Sequence, residues 1–266
     1  MPYAERSDGT RLHWEAVGTG PAVLITTQVF GDRQASPGLV DELSADHCVV
    51  TYDPRGTGES SPAGPYDNRT DASDLRAVLD AAVDAAEGPA AVVGLGNAAE
   101  VAVLAAATAP GGTVGGVVIP FGNPAGVLAA RQSEGLVGSK SVLEAMDDLL
   151  ANDYRAGLRS VIGSGNPQMG EDEVRDRVDR QVAYCPAEVA IARMASWRRD
   201  GVLEEARALG YRLWILQHPH NPWFPADMLD PTKELLPDAN IEEVEDGHMS
   251  RPDLTAGVIR GITGGN

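Results

Sequence analysis

Ala90-Ala91-Val92-Val93-Gly94-Leu95-Gly96-Asn97-Ala98-Ala99-Glu100-Val101-Ala102-Val103-Leu104-Ala105-Ala106-Ala107 decides how the rest of the chain is read. Its first third is apolar on successive positions, as in a strand covered on both faces of a sheet. Two glycines then interrupt it, and Ala98 to Ala107 continues as a helix-like segment. A strand that turns at once into a helix is half of a crossover unit, and parallel strands require such crossovers.

The same alternation extends outward in both directions. Upstream, Ala22 to Thr27 and Cys48 to Tyr52 are two further runs apolar on both faces, with Pro37 to Leu43 able to supply a short helix between them. Asp71 to Ala86 predicts a longer helix, because Leu75, Val78, Leu79 and Val83 recur at three and four residue intervals. Downstream, Val114 to Ile119, Arg212 to Leu216 and Ile241 to Val244 predict three more strands, and Asp253 to Ile262 a terminal helix. Ahead of everything, Ser7-Asp8-Gly9-Thr10 lies between two strand-like pieces within Glu5 to Val17, and Asp-Gly is a strong hairpin signal. The pattern predicts an α/β fold with a mostly parallel central sheet and helices on both faces.

Ser141 to Arg199 departs from the alternation, offering helices and no strand. Leu143, Met146, Leu150, Tyr154 and Leu158 make one apolar stripe and Val174, Val178 and Val182 another, with Ser164-Gly165-Asn166-Pro167 between them. Pro186 to Arg198 reads as a third helix, with Val189, Ala192 and Met194 as core contacts and Pro186 in its first turn. The expected organisation is an α/β core over 1–135, a helical cap or lid over 136–205 inserted before the penultimate strand, and the second part of the core over 206–266.

At 266 residues the chain can bury roughly 70–75% of its extended surface without staples. Asp and Glu outnumber Lys and Arg by 39 to 21, for a net charge of -18, which excludes nucleic acid and disfavours an anionic membrane surface as partner. Cys48 and Cys185 belong to no CxxC pair and read as buried thiols. The opening residues MPYAERSDGTRLHWE contain no apolar signal core, and no run reaches the ~18 apolar residues of a membrane span, so the expected location is cytoplasmic. The partner expected is a small-molecule substrate or ligand, and the sequence is compatible with a homo-oligomer.

In an open α/β sheet ligands bind beyond the carboxyl ends of the strands, and four loops at such positions carry a resemblance. Thr51-Tyr52-Asp53-Pro54-Arg55-Gly56-Thr57-Gly58-Glu59-Ser60 resembles the D-x-R-G-x-G-x-S stretch found after the second central strand of many α/β-hydrolase-fold proteins, where its role is to hold a turn. Val93-Gly94-Leu95-Gly96-Asn97-Ala98 is similar in position and flanks to the strand-turn-helix elbow G-x-S-x-G, which presents a nucleophile. Gln217-His218-Pro219-His220-Asn221-Pro222-Trp223-Phe224-Pro225 resembles the segment that delivers the triad acid, and Glu245-Asp246-Gly247-His248-Met249 the turn that carries the base. The resemblance to the α/β-hydrolase superfamily covers nearly the whole chain.

That resemblance implies a divergent site. Gly96 stands at the nucleophile position and has no atom with which to attack a carbonyl. Asn221 stands at the acid position, where it can orient a histidine but cannot stabilise an imidazolium as a carboxylate does. His248 is retained as the catalytic acid or base, and Asn97 is among the free N–H groups of a helix start that can receive an anion or oxyanion. Gln28, Val29 and Phe30 follow the first central strand, in the place of the H-G-x oxyanion loop, and line the pocket together with Phe121, His220 and Trp223. Gly94 and Gly96 lack the third glycine and the downstream acid of a dinucleotide fingerprint, and His218 and His220 have no neighbouring ligand cluster, so no cofactor or metal is implied.

The superfamily's fold hosts esterases, lactonases, epoxide hydrolases, dehalogenases, lyases and cofactor-free oxygenases. Three alternatives stay open from sequence. The chain is an enzyme using His248 without a covalent intermediate, for water-mediated hydrolysis or for a lyase, isomerase or cyclisation step. Otherwise it is a ligand-binding pseudoenzyme, or it draws a nucleophile from Thr26, Thr27 or Glu100.

Overall fold

The computed structural model describes residues 2–27, 29, 31–34, 36–83, 88–125, 150–165, 169–199, 201–217, 226–244 and 251–264. Its strands are β1 (Tyr3–Glu5), β2 (Arg11–Val17), β3 (Ala22–Thr26), β4 (Cys48–Tyr52), β5 (Ala90–Leu95), β6 (Val114–Phe121), β7 (Leu213–Gln217) and β8 (Asn240–Glu243). They form one sheet in the order β1-β2-β4-β3-β5-β6-β7-β8. From β4 to β8 every pairing is parallel, while β2 runs antiparallel to β4 and carries β1 as a hairpin partner. The hairpin turns at Asp8-Gly9, where Asp8 Oδ1 accepts the Thr10 N–H at 2.9 Å and Gly9 N–H bonds the Arg6 carbonyl.

Alternate residues of the central strands feed two cores. Leu24, Val50, Val92, Val117, Ile119 and Ile215 point to one face, covered by α2 (Asn68–Val83), α3 (Ala99–Ala107), α7 (Leu203–Leu209) and α8 (Leu229–Leu235). Val23, Ile25, Val49, Val93 and Leu216 point to the other, covered by α1 (Pro37–Leu43) and α9 (Pro252–Thr263). Both faces are dry, which is why these strands read as continuous apolar runs rather than as alternating ones.

Between β6 and β7 the described chain carries the helices α4 (Tyr154–Gly165), α5 (Glu171–Tyr184), α6 (Ala187–Arg199) and then α7. Leu158 and Ile162 of α4 close on Val174 and Val178 of α5, so those two stripes meet face to face. The continuous stripe expected from Leu143 to Leu158 is interrupted at Asp153. Its side chain accepts the Ala156 N–H and its carbonyl the Gly157 N–H, which starts a new helix there. Leu143 and Met146 lie outside the described residues.

Helix α2 begins three residues before the expected Asp71, because Asp67 accepts both the N–H and the hydroxyl of Thr70 and caps the first turn. On α6 the inward face is Val189, Ala190, Arg193, Met194 and Trp197, with Ala192 only half-buried, a correction to the expected Val189, Ala192, Met194 face. Cys48 and Cys185 are both free and buried, as expected. Among the described residues no helix is long and apolar enough to cross a membrane.

Candidate active site at the turn from β5 to α3

Strand β5 lies mid-sheet, and its last residues set the turn. Gly94 pairs with Thr26 of β3, and a Cβ placed on it would come 2.8 Å from the Ala99 Cα and 2.9 Å from the Ala102 Cβ. The lack of a side chain at 94 is what lets α3 return directly over the end of its own strand. Leu95 is still extended, and Gly96 then takes φ +61°, the left-handed region in which an L side chain is strained. One 3-10 turn, Gly96–Ala98, leads into α3, with Ala99 N–H donating to the Gly96 carbonyl.

Neither Leu95 nor Ala98 supplies a side-chain cap to the start of the helix. Among the described residues a Cβ on Gly96 would meet only the Phe121 ring, at 3.9 and 4.0 Å, because Leu95 and Phe121 are paired across β5 and β6. Asn97 is half-buried, and its Nδ2 sits 3.9 Å from the Met194 Sδ on α6. Met194 belongs to an apolar cluster with Val29, Leu150, Val161, Cys185, Val189, Ala190 and Trp197. The structure therefore brings together Gly96, Asn97, Phe121 and, through Met194, Val29.

Val29 enters this arrangement through its side chain and carbonyl. The side chain is wholly buried in the cluster, and the carbonyl accepts Gln181 Nε2 of α5 at 2.8 Å. Gln28, Phe30, His220, Asn221, Trp223 and His248 lie outside the described residues. The strands that precede them, β3, β7 and β8, run parallel to β5 and end at the same edge as Gly96.

The three candidate alternative nucleophiles are all buried and engaged. The Thr26 hydroxyl lies 3.2 Å from the Tyr52 hydroxyl, the Thr27 hydroxyl donates to the Asp32 carbonyl, and Glu100 Oε2 accepts Asn68 Nδ2 at 2.6 Å. Tyr52 is held neutral, because burial, reinforced by Asp71, raises its hydroxyl well above the ordinary range.

Sequence reading did not single out Arg193 or Tyr184, which join the inserted helices to the core. Arg193 is fully buried, and its Nε and Nη2 bind Asp71 of α2 at 2.7 and 3.0 Å. Burial opposes its charge, yet the Asp71 carboxylate more than offsets that and holds the guanidinium protonated. The Tyr184 hydroxyl donates to Asp53 at 3.0 Å, and the Tyr184 carbonyl accepts Gly58 N–H. The available signal was Arg193 at helical spacing from Val189 and Trp197, on the buried side of α6.

The loop after β4 is structural in its bonding. Asp53 accepts the Glu59 N–H and Arg33 Nη1, at 3.0 and 2.8 Å, and Arg55 binds Asp74 through Nε and Nη2 at 2.5 and 2.7 Å. Among the described residues, His13, Asp53 and Glu59 bring one donor atom each within 4.8 Å of one another. Arg33 already lies between the two carboxylates, 2.8 Å from Asp53 and 3.5 Å from Glu59, and supplies the positive charge that a cation would bring.

No family model matches the chain. It is 36% identical over 83 residues to the "Putative carbamate hydrolase RutD" of Azorhizobium caulinodans, a stretch that covers 31% of this chain and 31% of that protein's length. Among solved structures it is similar to an esterase from Exiguobacterium antarcticum, with a TM-score of 0.81 at 15% identity over 98% of each chain. An alpha/beta hydrolase from Sphaerobacter thermophilus superposes with a TM-score of 0.65 at 22% identity, covering 98% of this chain and 99% of that one. The sheet order, the helices on both faces and these full-length superpositions establish that the chain has the α/β-hydrolase fold.

Proposed function

We propose that the chain is an enzyme of the α/β-hydrolase superfamily that acts on a small, neutral organic molecule by His248-dependent acid and base chemistry, with no covalent intermediate on the protein. The observation that carries this reading is the Gly96 turn: a left-handed residue at the carboxyl end of a central strand, where among the described residues a Cβ would meet nothing nearer than the Phe121 ring, and with no side chain to take an acyl group. Helices α4 to α6, as part of a cap over 136–205, close the site.

Hydrolysis is the reaction that the similar proteins favour. In that reaction an imidazole nitrogen of His248 takes a proton from water as the water oxygen bonds to the substrate's carbonyl carbon, and the carbonyl π electrons move onto its oxygen. Backbone N–H groups at the Gly96–Ala98 turn, that of Asn97 among them, receive this oxyanion. When the carbonyl re-forms, the bond to the leaving oxygen or nitrogen breaks, and the imidazolium returns its proton to that atom. Asn221 orients the imidazole, and Gln28, Val29, Phe30, Phe121, His220 and Trp223 line the cavity.

His248→Ala tests the proposal against a panel of neutral esters, amides and carbamates. The expected result is a loss of about 10²–10⁴-fold in turnover with ligand binding retained. Turnover that survives the change removes His248 from the mechanism. The burial and engagement of Thr26, Thr27 and Glu100 favour a second reading, a pseudoenzyme that holds its ligand; binding without turnover across the panel would select it.

A further inference from the structure

We infer that Arg193 is a ligand-recognition residue beneath α6, and that its Nη1 donates to the oxygen of a neutral carbonyl compound carrying a small apolar group. The Nε and Nη2 of this side chain are committed, to Asp71 and, through Nη2, to the Arg55 carbonyl at 2.8 Å. Its Nη1 is buried and has no hydrogen-bond partner. A buried donor left without an acceptor is costly, more so on a charged group, and this one lies near the strand ends at which an open α/β sheet takes its ligands.

The location fits a ligand. Asp71 opens α2, Arg55 follows β4, and Tyr52, at the end of β4, reaches the hydroxyl of Thr26, which pairs with Gly94. The guanidinium thus belongs to the polar layer at the carboxyl ends of β3 and β4, beside the strand that carries Gly96. The next residue along α6, Met194, rests on Asn97.

Charge and shape select the ligand class. Asp71 already balances the guanidinium, so a ligand carboxylate would lose its water to meet a pair with no net charge, with a second carboxylate alongside. A neutral carbonyl oxygen completes the single open donor without that cost. Apolar groups lie nearby: the Tyr66 ring is 5.8 Å from the guanidinium carbon and packs against the cluster that holds Met194 and Val29. Esters, amides and carbamates with short alkyl groups meet these terms. The assignment rests on reading the Gly96 turn as the reaction centre, and binding can be measured without turnover.

The test is isothermal titration of the full-length chain with butyramide and with sodium butyrate at neutral pH, for the wild type, Arg193→Lys and His248→Ala. The wild type and His248→Ala should bind butyramide at least tenfold more tightly than butyrate. Arg193→Lys keeps a cation for Asp71 but removes the open nitrogen, and should lose at least tenfold in butyramide affinity. The paired variant Asp71→Asn/Arg193→Gln removes both buried charges and should show the same loss, which covers the case in which the lysine variant does not fold. Butyramide binding unchanged in either folded variant would overturn the assignment, as would a wild type that prefers butyrate or binds neither compound. Failure of the His248 mechanism appears separately, as turnover surviving His248→Ala while these affinities hold.

Discussion

Two turns leave the same edge of the sheet from strands separated only by β3, and they are built in opposite ways. After β4, almost every polar group is answered. Asp53 binds the Glu59 amide, Arg33 and Tyr184, while Ser60 Oγ donates to the Asp53 carbonyl at 2.5 Å and accepts the His13 amide at 2.9 Å. After β5, the chain turns through a bare glycine, starts its helix without a cap, and makes one long N–H···S contact through Asn97. Saturation marks the first turn as scaffold; the second, with a left-handed glycine and no side-chain cap, is the turn proposed above to meet a ligand.

The contrast is sharpened most by breaking the saturated side. Asp74→Ala should cost about 3–5 kcal/mol in urea unfolding, because it leaves the fully buried Arg55 without its bidentate partner. At the β5 turn the effects should be smaller and should differ between neighbouring glycines. Gly94→Val should cost about 3 kcal/mol by the same measurement, since the new Cβ meets backbone at 2.8 Å and the helix must move. Gly96→Ala should cost about 1 kcal/mol, for backbone strain, because among the described residues its Cβ meets nothing nearer than the Phe121 ring. A cost at 96 that equals the cost at 94 would mean the space above Gly96 is not open.

The smallest effect is expected at the Asp8 hairpin. Bonding from the Thr10 backbone N–H, then from the Thr10 side chain and Arg55, lowers the Asp8 carboxyl from 3.8 to about 2. A depressed carboxyl contributes stability that is fully present above its unfolded value and is lost as pH falls through the folded one. Asp8→Asn should therefore lower stability slightly at neutral pH and converge on the wild type as pH falls from about 4 to about 2, flattening the acid limb of the stability curve.

How much of this was legible depended on element length and on how the burial was spread. β3, β4 and β5 are buried on both faces and announced themselves as unbroken apolar runs, and the Asp8-Gly9 turn did so through backbone chemistry. Helices α7 and α8 have seven residues each, too short to show a period, and neither was anticipated. The restart of the helix at Asp153 was hidden because the apolar spacing runs straight through a residue whose carboxylate prefers a cap. Arg193 was hidden for a related reason: an arginine signals surface until its partner is known, and Asp71 lies 122 positions away. Gly96, Asn97, Phe121 and Val29 were legible as candidates from their places relative to strands and helix; the structure sets Gly96, Asn97 and Phe121 at one turn and joins Val29 to it through Met194.

The central claim is that residue 96 stands where an acyl group would attach and offers nothing to attach it to. Intact-mass spectrometry after incubation with an activated p-nitrophenyl ester tests this directly, with Gly96→Ser run alongside. The expected spectrum shows the native chain at its unmodified mass and one acyl adduct on the serine variant. An acyl adduct on any side chain of the native chain would contradict the account.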